Sequence, residues 1–209
     1  MSLPISANSK PAGGSGLVVI GASTGGVRAL CTLFENMPPL NASVLLVQHL
    51  PRFIEPSFLQ TLRRHTRMTV ELAQDGALLK PGTISLAPAE VHCTLDRNSR
   101  IRLRPGPPVN YVCPSIDVAM KSLSSPPEDS PLVGILLTGM GRDGADGMVH
   151  MKRLGGYTLA QDEASCAVFG MPKEAWNAGG ADALLPPERI ARRLLLWVGR
   201  LPGSAAAGK

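Results

Sequence analysis

The sequence predicts an α/β fold: a doubly wound, mostly parallel sheet with helices on both faces and a β-hairpin insertion. Two features of the chain point that way. Short, wholly apolar runs recur as LVVI at 17–20, VLLV at 44–47 and LVGILL at 132–137. An all-apolar strand suits burial on both faces, as in a parallel sheet. Segments with apolar residues at helical spacing separate these runs, and such alternation requires right-handed crossovers with helices on both faces.

Each element follows in order. Residues 1–16, rich in Ser, Pro and Gly, read as a flexible leader. The first strand is Leu17 to Ile20. Gly25 to Asn36 then carries Val27, Leu30, Cys31 and Phe34 at helical spacing, and Pro38 and Pro39 stop the helix. Val44 to Val47 is a second buried strand, and a helix follows from Glu55 to about Arg67. Residues 69–104 read as short alternating strands broken at Asp75-Gly76, Pro81-Gly82 and Asn98-Ser99, a hairpin region inserted on one edge of the sheet. A helix is expected at Ser115–Leu123 and the third buried strand at Leu132–Leu137. Then come a helix at Gly147–Leu154, a strand at Tyr157–Gln161, a helix at Lys173–Asn177 and a last helix from Pro187 to about Arg200. The domain spans 17–201, and 202–209 (PGSAAAGK) reads as a flexible tail.

Composition limits the function classes. The chain has 209 residues, 44% hydrophobic and 18% charged, enough for one domain with a real core and too apolar for wholesale disorder. No apolar run reaches the roughly 18 residues needed to cross a bilayer, and the N-terminus lacks a signal peptide's apolar region. The expected address is the cytoplasm, with no membrane insertion. Cys31, Cys93, Cys113 and Cys166 form no CxxC pair and read as reduced thiols. His92, Cys93 and Cys113 fit no standard zinc spacing, so no zinc site is expected there. The net charge is +5, with clusters at Arg63, Arg64 and Arg67 and at Arg97, Arg100, Arg102 and Arg104. With 4% aromatic residues and no recognisable module, nucleic acid is not an expected partner. The arginines read as solvated surface or as a basic rim facing an acidic partner. No heptad seam is visible, and a monomer is expected.

Chemistry in an open parallel sheet belongs outside the carboxyl ends of the strands. Gly21-Ala22-Ser23-Thr24-Gly25-Gly26 follows the first strand, Gln48-His49-Leu50-Pro51 the second, and Thr138-Gly139-Met140-Gly141-Arg142-Asp143-Gly144 the third. Ser23, His49 and Asp143 are the residue set of a Ser-His-Asp triad. GASTG fits the G-x-S-x-G nucleophile elbow. The alternative is a phosphate-binding turn at a helix N-terminus, which is the weaker reading because position 23 breaks the G-x-G-x-x-G pattern and no acidic residue ends the second strand. As a triad, His49 would take the Ser23 proton and Asp143 would hold the imidazole tautomer. The Thr24 backbone N–H, with a second from the turn near Met140, would stabilise the oxyanion. His65, His92 and His150 read as surface residues.

These segments resemble the catalytic domain of the chemotaxis protein-glutamate methylesterases, the CheB family, over roughly residues 17–200. VVIGASTGG, VQHLP and LTGMGRDGADGM carry the family's serine, histidine and aspartate onto Ser23, His49 and Asp143, and AQDEASCAVFGMPKEA (160–175) looks like its late block. The resemblance implies hydrolysis of glutamate γ-methyl esters on chemoreceptors to glutamate and methanol in chemotaxis adaptation, without cofactor or metal, and in some members deamidation of receptor glutamine. The partners it implies are methylated chemoreceptor cytoplasmic domains. Full-length members carry an N-terminal receiver domain of about 100 residues or more. Only 16 residues precede the first strand here, so phosphorylation-linked control is not expected within this chain, which reads as a stand-alone esterase, open to control by a separate regulatory protein, or as a fragment beginning in the linker. Two other readings stay open: a phosphate- or nucleotide-binding Rossmann-like module, and a catalytically silent adaptor that docks on receptors.

Overall fold

The computed structural model describes residues 14–124 and 130–203. Of the expected leader and tail, 1–13 and 204–209 lie outside the described residues, and Gly16 already belongs to the first strand. Seven parallel strands form one sheet in the order β3-β4-β2-β1-β7-β8-β9. They are β1 (Gly16–Ala22), β2 (Ala42–Gln48), β3 (Thr69–Leu72), β4 (Thr83–Leu86), β7 (Leu132–Leu136), β8 (Tyr157–Gln161) and β9 (Ala183–Leu185). The central strands β1 and β2 are buried at every residue, which is why they read as unbroken apolar runs.

Side chains alternate across a strand, so each strand feeds two cores. Val18 and Ile20 point to the face covered by α1 (Gly26–Phe34), α2 (Glu55–His65) and α6 (Pro187–Val198). Leu17 and Val19 point to the face covered by α3 (Ile116–Lys121), α4 (Ala145–Arg153) and α5 (Met171–Asn177). Each fully buried Val, Leu or Ile contributes about 1.5–3 kcal/mol, so this double-sided burial is the main support of the sheet.

Three expectations need correction. The region 69–104 is not one edge hairpin. β3 and β4 join the parallel sheet, with Val70 opposite Ile84 and Leu46 opposite Leu86. Only β5 (His92–Leu95) and β6 (Ile101–Arg104) form an antiparallel hairpin. It sits over a face of the sheet, where Cys93, Leu95 and Ile101 share a core with α3. Second, β9 went unpredicted; it is a three-residue edge strand, too short for a periodic signal. Third, the buried stripe of α1 is Ala29, Leu30, Leu33 and Phe34, leaving Val27 exposed. No helix among the described residues is long and apolar enough to cross a membrane.

Candidate active site

The carboxyl ends of β1, β2 and β7 lie side by side at the centre of the sheet, and the three segments named in the sequence leave from them. Direct bonds hold those segments together. Ser23 N–H donates to Thr138 O at 3.0 Å, and His49 N–H donates to Ala22 O at 3.0 Å. The buried Gln48 amide donates both its hydrogens, to Ser23 O at 3.0 Å and His49 O at 2.9 Å, clamping the serine and histidine loops. The third loop closes over the first: a Cβ at Gly139 would fall 2.7 Å from Ser23 Cβ. At the elbow the unusual backbone falls on Gly25, not on Ser23. Gly25 has φ 80°, and a side chain there would also meet Ala167 Cβ at 2.4 Å.

His49 Nε2–H donates to Asp143 Oδ2 at 3.0 Å. With Nε2 so engaged, Nδ1 is the ring nitrogen left to accept a proton. Ser23 Oγ makes no hydrogen bond to His49 among the described residues, and bonds of this kind often tighten only with substrate bound.

Asp143 is buried and collects further donors. Oδ2 accepts from the Ile116 N–H at 2.6 Å, while Oδ1 accepts from Ser115 Oγ at 2.6 Å, Asn110 Nδ2 at 3.1 Å and the Asp117 N–H at 3.3 Å. Burial pushes its carboxyl upward, but the bonds from His49, Ser115, Asn110 and Ile116 outweigh burial and hold it below the usual carboxylate range. Asp143 is therefore an anion aimed at His49. Its neighbour Asp117 goes the other way: burial raises its carboxyl, and Asp143 adds to the rise.

Comparison with known proteins gives the family and the fold. The CheB methylesterase family model matches residues 18–194, which contain every residue of the cluster. The chain belongs to the CheB methylesterase family. It is 42% identical over 185 residues to a protein-glutamate methylesterase/protein-glutamine glutaminase of Pectobacterium atrosepticum, covering 87% of this chain and 53% of the relative. It is 44% identical over 182 residues to a similarly named protein of Thiobacillus denitrificans, covering 86% of this chain and 51% of that one. The chain thus spans about half the length of the curated relatives it matches. The crystal structure of the Thermotoga maritima CheB methylesterase catalytic domain superposes with a TM-score of 0.78 at 35% identity, covering 87% of this chain and 97% of that one. The fold is therefore that of a CheB catalytic domain, and the Rossmann-like phosphate reading is not favoured.

Within this CheB domain, the two main-chain donors anticipated for an oxyanion are unoccupied. The Thr24 and Met140 N–H groups have no acceptor among the described residues, whereas the Gly139 N–H is taken by Val168 O at 3.1 Å. Sequence reasoning missed the groups that hold Asp143. Asn110 comes from a tight turn closed by the paired bonds of Val109 and Val112, and its amide also reaches Asp117 Oδ2 at 2.8 Å. Ser115 is the N-cap of α3. A serine before a helix is a legible capping signal, but nothing in the sequence says that its hydroxyl faces Asp143.

Two of the remaining histidines depart from the surface expectation. His65 is exposed, but His150 is half-buried and bonds Leu123 O at 2.7 Å, and His92 is 5% exposed. Both ring nitrogens of His92 have protein partners, and burial pushes the Cys93 thiol up to about 12. All four cysteines are free thiols. The first arginine cluster lies away from the site, and two members of the second are engaged within the hairpin region. Arg63, Arg64 and Arg67 sit where α2 returns to the start of β3, the opposite end of the sheet from the site. Arg102 is paired with Asp96 at 2.9 Å, and Arg100 bonds Gly76 O at 3.1 Å.

Proposed function

We propose that this chain is a serine carboxylesterase that hydrolyses glutamate γ-methyl esters on chemoreceptor cytoplasmic domains, with Ser23, His49 and Asp143 as its triad. The observation that carries the proposal is the bond from the partly buried His49 to the buried Asp143, beside Ser23 at the carboxyl ends of β2, β7 and β1. Asp143 keeps the hydrogen on Nε2, so Nδ1 is free to act as base. Ser23 Oγ attacks the ester carbonyl and its proton passes to Nδ1. The tetrahedral oxyanion is stabilised by the Thr24 and Met140 N–H groups. As the C–O bond to methoxide breaks, imidazolium returns the proton, releasing methanol and leaving the acyl group on Ser23. Water, deprotonated by the same imidazole, then cleaves the acyl-enzyme to glutamate and restores the serine. The relatives are also named glutaminases. An amide substrate would follow the same route with ammonia as the leaving group.

The surroundings favour an acidic, amphipathic helical substrate. Eight large apolar side chains are exposed among the described residues, and five of them, Val27, Phe53, Val109, Tyr111 and Met140, lie within four residues of a triad residue or of Asn110. Exposed Arg28, Arg52 and Arg142 stand beside three of these positions, Arg52 and Arg142 in solvent-exposed pairs with Glu90 at 3.7 Å and Asp146 at 3.0 Å. Apolar contacts ringed by cations suit a helix that presents one apolar face and flanking glutamates.

The test is methanol release from methylated chemoreceptor cytoplasmic fragments, wild type beside Ser23→Ala, with ammonia measured on glutamine-bearing fragments. Release by the wild type alone is expected. Equal release by both proteins would remove Ser23 as nucleophile, and no release by either would remove the substrate assignment.

A further inference from the structure

We infer that His92 is a positioning residue for the reaction, setting the Asp143 carboxylate through Ser115. The inference rests on the serine-esterase reading of the site. His92 opens β5, in the hairpin that looks peripheral in sequence, yet its side chain is buried. Its Nδ1 accepts the Ser115 N–H at 3.1 Å. An imidazole nitrogen that accepts carries no hydrogen, so the hydrogen is on Nε2, which meets Pro107 O at 2.9 Å. Both nitrogens are thus satisfied by one neutral tautomer. Gly106 lies against the ring, where a Cβ would stand 3.4 Å from Cδ2.

Ser115 is gripped at both ends. His92 holds its N–H, and its hydroxyl donates to Asp143 Oδ1 at 2.6 Å while accepting the Val118 N–H at 3.3 Å. Asp143 in turn holds His49. The links run Pro107, His92, Ser115, Asp143, His49, each a hydrogen bond to the next. A residue in this chain fixes geometry rather than touching substrate, and small displacements of a catalytic group are costly, about 100-fold for 1 Å. The hairpin therefore acts as a strut behind the catalytic carboxylate.

Two substitutions separate positioning from packing. The Oδ1 of His92→Asn falls near the place of Nδ1 and can accept the Ser115 N–H, though it cannot reach Pro107. The longer His92→Gln can donate to Pro107 O but leaves the Ser115 N–H without its acceptor. Positioning predicts a kcat at least tenfold below wild type for Gln with KM within about twofold, and recovery of most of that loss by Asn. The acid limb of the kcat profile should also move to lower pH in the Gln variant, because a loosened carboxylate stabilises imidazolium less. Equal losses in Asn and Gln, or better activity in the bulkier Gln, would overturn the inference. Wild-type methanol release that depends on Ser23 is the control: without it the esterase reading fails, and with it a flat Asn–Gln comparison sinks only the role of His92. Should either variant fail to fold, nitrogen NMR of the wild-type imidazole decides. A neutral ring protonated on Nε2 is expected, and a hydrogen on Nδ1 would exclude the bond to Ser115 and the inference with it.

Discussion

At the scale of single residues, the site depends as much on what is missing as on what is present. Gly139 has no Cβ because Ser23 Cβ and Met171 Sδ occupy that space, 2.7 and 2.3 Å from where one would stand. The methionine can swing away; the serine backbone, tied by its N–H to Thr138 O, cannot without moving Oγ. With Ser23 as the proposed nucleophile, Gly139→Ala should therefore lower kcat for the proposed methyl-ester hydrolysis about 10- to 100-fold, the loss that goes with displacement by a fraction of an ångström to 1 Å. Side-by-side turnover and thermal melting would check this. Wild-type turnover in a folded alanine variant would mean that the loop gives way instead of Ser23. In the sequence this glycine looked like one of several in a turn, since close approach between residues far apart in the chain leaves no local signal.

At the scale of elements, legibility followed unbroken apolar runs. β1, β2 and β7 were visible because both of their faces are buried, and the chemistry-bearing segments could be placed at their ends by the rule for parallel sheets. β3 and β4 were misassigned because four-residue strands that alternate polar and apolar residues read as hairpin strands; β4 is in fact buried throughout, paired in parallel with β2, and β3 pairs in parallel with β4. Ser23, His49 and Asp143 were named from these ends, but Asn110, Ser115 and His92 come from turns and caps whose aim is fixed only by tertiary packing. Those bonds also make Asp143 a pin between the β7–α4 loop and the start of α3, which gives stability a pH dependence. Asp143 has a folded-state pKa below its unfolded value, so its contribution is full above the ordinary carboxylate value of about 3.9 and is lost as pH falls through the lowered folded value. Asp117, raised by burial, pulls in the opposite sense. The urea midpoint of wild type should exceed that of Asp143→Asn most at pH 7, and the gap should narrow as the pH drops through the carboxylate range. A gap of the same size at pH 7 and pH 3 would show that Asp143 is not held as an anion.

At the scale of the whole molecule, apolar surface is distributed unevenly. A domain can leave scattered apolar side chains exposed without consequence, but here most of the large ones gather about the carboxyl end of the sheet. Phe53, Tyr111 and Met140 are 80%, 101% and 78% exposed, so removing them should cost the folded domain little, and contact with another molecule is the role left to them. Phe53→Ser, together with Tyr111→Asn, which keeps a residue tolerant of the positive φ of 65° at that turn, should each raise KM for a methylated receptor fragment. The expected rise is about fivefold, the loss of roughly 1 kcal/mol of interface energy, with kcat within twofold. The small ester p-nitrophenyl acetate cannot span the rim, so its hydrolysis should be unchanged by either substitution. Raising salt should increase KM for the receptor fragment alone, because Arg28, with Arg52 and Arg142 in their exposed pairs with Glu90 and Asp146, would attract acidic helices through screenable charge. Parallel losses on both substrates would instead place the defect at Ser23 and its neighbours, and unchanged KM on the receptor would move the docking surface elsewhere on the domain.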